Sequence, residues 1–184
     1  MECIQLMIDE HKNIKRMLAV IRKLCYKLLE QENVDYEDFF KVIDFVRNYA
    51  DRHHHGKEET LLFNRMNEEL GPRAEMLVRH GMMVEHDLGR LHIQELEVAV
   101  KKVLQGGREE KLDVIANAVS YTNLLNRHID KEDAVVYKYA SNNLPKATLN
   151  RIDEECGRFE RNAQEKAVQK KYLDLLSEME SRIL

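Results

Sequence analysis

Apolar residues recur every three or four positions along almost the whole chain, and a period of two never persists long enough to predict a strand. The pattern predicts an all-helical fold. Ile4, Met7, Ile8, Ile14, Met17, Ile21, Leu24 and Leu28 stripe a first helix that runs out near QENVD. A second starts at Tyr36, carries Phe39, Ile43, Val46 and Ala50, continues through Leu61 and Leu62, and stops at Gly71-Pro72. A third follows Pro72 through Met76, Met83, Ile93, Leu96 and Val100 to Gly106-Gly107. A fourth begins near Arg108, passes Leu112, Ile115, Val119, Leu124 and Leu125, reaches Tyr139 and ends before Pro145. Long helices joined by short loops predict an up-down-up-down four-helix bundle over residues 1–145. Residues 146–184 read as one or two further amphipathic helices packed on it. They contain no histidine, so their expected role is to shield the bundle or pair subunits.

Composition narrows the class. A chain of 184 residues suits one compact domain, and 43% hydrophobic with 34% charged residues, 7 Gly and 2 Pro fits a helical globular protein. A net charge of −4 lacks the basic footprint of a nucleic-acid binder. The longest uncharged runs, such as Ala116 to Asn126, fall well short of the ~20 residues that span a bilayer. The opening MECIQLMIDEHKNIK is acidic by its second residue, unlike a signal peptide, so a cytoplasmic location is expected. Cys3, Cys25 and Cys156 share no CxxC spacing and are expected to be ordinary reduced thiols.

The three consecutive histidines at 53–55 resemble a purification tag or a solvated turn until the chain is compared with itself. Residues 54–63, HHGKEETLLF, and 128–137, HIDKEDAVVY, both fit H-x-x-K-E-(E/D)-x-(L/V)-(L/V)-(F/Y). His54 therefore pairs with Glu58 as His128 pairs with Glu132, four residues and about 40° apart around a helix. A shorter repeat, Glu10-His11 and Glu85-His86, lies on the first and third helices. The near-equal offsets are those of a duplicated helical hairpin. All six of His11, His54, Glu58, His86, His128 and Glu132 interrupt apolar stripes, where unpaired imidazoles and carboxylates are costly to bury. Four imidazoles and two carboxylates converging from four helices suit two first-row ions, iron first and manganese second. Zinc more often takes four ligands.

The segments DEHKNI, VEHDLGR and the two ten-residue repeats resemble the hemerythrin-like (HHE cation-binding) family over about residues 1–145. The resemblance implies a four-helix bundle with an oxo- or hydroxo-bridged di-iron centre, ligated by His11, His54, Glu58, His86, His128 and Glu132. It departs from the oxygen-carrying hemerythrins at Arg90, where those proteins have a histidine four residues after the third-helix ligand. One iron is thus expected to have one imidazole fewer, opening a position on both metals and favouring irreversible oxidation by air. The ligand set is similar to that of di-iron proteins of iron-sulfur cluster repair, although their cysteine-bearing N-terminal domain is absent from this sequence.

The expected function is a di-iron protein that binds or responds to O2, NO or peroxide, as a stress sensor, a buffer or an iron handler. The alternative is an enzyme: a di-iron peroxidase or oxidase, or an iron-sulfur cluster repair protein. A small diatomic or peroxide ligand is the expected partner, without nucleic acid or membrane, and a homodimer is possible. Helical register turns His53 and His55 away from the His54 face, so both are expected to be solvated or to stand behind the ligands. Glu59 and Asp133 occupy matching positions suited to orienting a ligand imidazole. Lys57 and Lys131 read as surface charges, Tyr121 as core or a neighbour of the centre, and Met82 and Met83 as core.

Overall fold

The computed structural model describes residues 2–30 and 34–184. It is all-helical, with six helices among the described residues. The first, α1, is Glu2–Leu29. The end predicted near QENVD falls partly on residues 31–33, outside the described residues. α2 covers 37–69, α3 covers 72–104 and α4 covers 111–143. The C-terminal segment forms two helices, α5 (Lys146–Glu165) and α6 (Val168–Ile183).

The breaks have local causes. Gly71 takes φ 71°, which a side chain disfavours, and Pro72 opens α3, where its missing N–H costs nothing. Gly106 at φ 102° ends the α3 side of the next loop.

α1 packs against α2 and α4, and α3 packs against the same two helices. α5 and α6 lie along α1 and α2 and pack on each other. Two apolar cores result. One joins Ile14–Leu28 of α1 to Phe39–Ala50, Ile93–Val100, Val114–Ile129 and α6. The other joins Cys3–Met7 to Leu62–Met66, Val78–Met82, Val136–Leu144 and α5. On each of the four long helices the gap between the cores holds the polar residues singled out by the repeat. The site is therefore a polar layer sealed above and below by hydrocarbon.

Around this layer the helices widen. Residues 46–55 and 58–63 of α2, 78–82 of α3 and 132–136 of α4 are π-helical, a form that recurs at functional sites. A π-helix turns less per residue than an α-helix, so neighbouring residues come closer to sharing a face.

Candidate metal centre

The six residues predicted from the repeat are all buried and all meet. His11, His54, Glu58 and Glu132 each offer a ligand atom within 4.8 Å of the others, and His55, Glu58, His86 and His128 form a second such group. Glu58 belongs to both groups. Glu132 joins them as well, with its oxygens 3.1 Å from His128 Nε2 and 3.3 Å from His11 Nε2.

The expectation for His55 fails. Its side chain is buried, stacks on His86 and takes a place in the second group. The reason is the π-helical path of 46–55, which lets His54 and His55 both face the layer. His53 is also buried, but beside Lys57 and behind His54.

Carboxylates fix the imidazoles. A carboxylate can only accept, so a ring nitrogen facing one carries the hydrogen. Nδ1–H of His11 donates to Asp133 (2.8 Å), His54 to Glu10 (2.8 Å), His86 to Glu59 (2.7 Å) and His128 to Glu85 (2.9 Å). His55 makes a longer bond to Asp51, 3.3 Å. Glu59 and Asp133 thus do what their repeat positions suggested. Glu10 and Glu85 were not singled out for this role, although each is the glutamate of its Glu-His pair.

Arg90 serves the same framework. Its guanidinium donates to Asp51 at 2.9 and 2.7 Å and to Glu59 at 2.7 Å, bracing the carboxylates that hold His55 and His86. At the position where the resemblance led one to look for a histidine, this chain has an arginine behind the imidazoles, and a histidine from α2 stands in the cluster. The expected loss of one imidazole is not what the geometry presents. A cleft of about 360 Å³ lined by Asp51, His55, His86, Gly89, Arg90 and Tyr121 opens beside them.

The two halves of the repeat differ in their lysines. Lys57, expected at the surface, is fully buried and donates to Glu10 and to Glu160 of α5, and His53 Nε2, 3.2 Å from the ammonium, faces the same Glu10 oxygen at 3.0 Å. Its ammonium fills the space among Glu10, His53 and Glu160, which otherwise have the spacing of a cation site. Lys131 makes the matching contact to Glu85 but is half exposed. The closing aromatic also differs: Phe63 lies over His86, whereas Tyr137 stacks on His11 at 5.6 Å and donates its hydroxyl to Glu58.

The cluster's polarity fits a bound cation pair. His54 Nε2 and Glu58 Oε2 are buried without a hydrogen bond, each an omission worth about 1–3 kcal/mol in an ordinary core, and the buried Glu132 oxygens face only imidazole Nε2 atoms, those of His11, His86 and His128. The Nε2 atoms of His86 and His128 face each other at 3.1 Å. Burial, and then the charge of His11, push His54 down to about 4. Burial opposes protonation of His11, His86 and His128 too, but hydrogen bonds and charges from the carboxylates raise them to about 9, 9 and 10. A metal ion bound here would compete with protons for these nitrogens.

A family model described as the hemerythrin HHE cation binding domain matches residues 3–140. The chain belongs to this family of cation-binding helical proteins. Comparison with curated proteins and with solved structures returned no match. The family match ends within α4, before α5 and α6. No helix among the described residues is long and apolar enough to cross a membrane.

Proposed function

We propose that the protein is a non-haem di-iron protein that binds or responds to O2, NO or peroxide, as a sensor, a buffer or an iron handler. His11, His54, Glu58, His86, His128 and Glu132 are the ligands in this reading, joined by His55. The observation that carries it is the convergence of buried imidazole nitrogens and carboxylate oxygens in one polar layer between two apolar cores. Manganese suits the same donors less well, because five imidazoles favour the softer end of the first row.

The donors divide unequally. His55, His86 and His128 gather on one side and His11 and His54 on the other, with Glu58 and Glu132 between. A pair of iron ions supplies redox chemistry toward small oxygen and nitrogen species. This chain supplies the rest: five oriented imidazoles, two shared carboxylates, exclusion of bulk water by two apolar cores, and more unused coordination capacity beside His11 and His54. That imbalance favours binding at one metal, and it removes the reason for expecting both to be open.

The second reading, a di-iron peroxidase or oxidase, draws on Tyr137, whose hydroxyl at Glu58 is placed to move a proton at that carboxylate. The iron-sulfur cluster repair alternative rests on the likeness of the ligand set alone. In this account residues 1–145 form an up-down-up-down bundle and 146–184 a shielding extension in a cytoplasmic protein. A homodimer would form on the exposed stripe Val84, Leu88, Leu91 and Val98 of α3.

The test is stopped-flow absorbance of anaerobically reduced, iron-loaded protein mixed with O2 and, separately, NO. A spectral change that reverses when the gas is removed is expected. Repeated peroxide consumption with a reducing co-substrate would move the protein to the enzyme class.

A further inference from the structure

Two of the three cysteines come together. Cys3 lies in the first turn of α1 and Cys156 on α5, both buried in the same apolar core and within electrostatic reach of each other. The backbone N–H of Cys3 donates to Asp153 Oδ1 at 2.9 Å, one turn before Cys156, so α5 is seated directly on the start of α1.

The surroundings are divided. One side is the apolar core of Ile4, Met7 and Ile152. The other is the ionic group of Lys57 and Glu160, and the positive charge of Lys57 favours a thiolate at both sulfurs. The Asp153 carboxylate accepts the Cys3 backbone N–H and sets its negative charge at Cys3, which disfavours a thiolate there, so Cys156 is the sulfur that acts as nucleophile. Cys25 offers a contrast: it belongs to the other core, and burial raises its thiol to about 11.

We infer that Cys3 and Cys156 form a reversible dithiol–disulfide pair, oxidised by a hydroperoxide, whose bond latches α5 onto α1. The Cys156 thiolate attacks one peroxide oxygen, forming an S–O bond as the O–O bond breaks. The departing hydroxide, or alkoxide from an organic hydroperoxide, takes up a proton. The Cys3 sulfur then attacks the Cys156 sulfur, the S–S bond forms, and the S–O bond breaks with loss of water. Two thiols lose two electrons, and hydrogen peroxide becomes two waters. Access comes from fraying of the first turn of α1, since helix ends open at low cost. The latch closes beside Lys57 and Glu10, and Glu10 holds ligand His54. The pairing itself is independent of the metal reading.

The experiment treats the full-length, metal-loaded protein with stoichiometric hydrogen peroxide, blocks remaining thiols under denaturing conditions and maps peptides without reduction. A Cys3–Cys156 cross-linked peptide is expected, with Cys25 alkylated and the link reversed by dithiothreitol. Amide exchange in 146–165 should slow by roughly ten-fold or more on oxidation. Cys3→Ser and Cys156→Ser should each abolish the link, and wild-type peptide mapping decides the matter if either variant fails to fold. Alkylation of both thiols after treatment, sulfinic acid at either without a cross-link, or a link through Cys25 would overturn the inference.

Discussion

His55 stacks on His86 with ring centroids 3.8 Å apart and planes 10° apart. The two come from different helices, and Arg90 braces the carboxylates behind both. This relationship changes the account of the centre, because a histidine of α2 stands in the cluster while the third helix contributes an arginine around it.

A direct consequence concerns the triple histidine. His55→Ala should lose one of the two bound ions or weaken it by at least ~10-fold, the scale on which even residues supporting ligands act. His53→Ala should keep both, because His53 contacts Lys57, Glu10 and Glu160 and none of the clustered donors, and Lys57 still holds Glu10 in place. Titration of the metal-free variants with ferrous iron under anaerobic conditions reads the difference. Equal retention by both variants would remove His55 from the ligand set.

The lysines of the repeat should differ in stability. Lys57→Ala leaves Glu10 and Glu160 without their buried ammonium partner, a loss of about 3–5 kcal/mol. Lys131→Ala breaks a half-exposed pair, worth about 1 kcal/mol or less. Urea unfolding of both variants checks this, and equal midpoints would contradict it.

Both lysines looked alike in the sequence because each stands at the same position of the repeat, directly before the glutamate. What separates them is α5, which brings Glu160 over Lys57 and leaves Lys131 facing solvent, and packing by a remote segment has no local signature. The helices and their breaks were legible because Gly71-Pro72, Gly106-Gly107 and Pro145 punctuate a sustained period. The six donors of the repeat were legible because each polar residue interrupts an apolar stripe. His55 was hidden by the assumption of α-helical register, since no residue pattern announced the π-helical path of 46–55. Glu10 and Glu85 carried a visible signal: both precede a histidine in the duplicated Glu-His pair, which was read for its histidine alone.

The aromatic mates predict a kinetic asymmetry. Tyr137→Phe turns the His11 side into a copy of the Phe63 arrangement and removes the hydroxyl at Glu58. Iron content should stay unchanged while the reaction of the reduced protein with peroxide slows, on the order of 10²-fold if the hydroxyl delivers a proton. An unchanged rate, followed by stopped-flow absorbance, would leave Tyr137 a packing residue.

The central claim is a two-metal centre, and elemental analysis tests it most directly. Protein produced in iron-replete medium and purified without added metal should carry two ions per chain, mainly iron, and Glu58→Ala should lose both because Glu58 belongs to both donor groups. A reproducible single ion per chain, or zinc alone, would contradict the account.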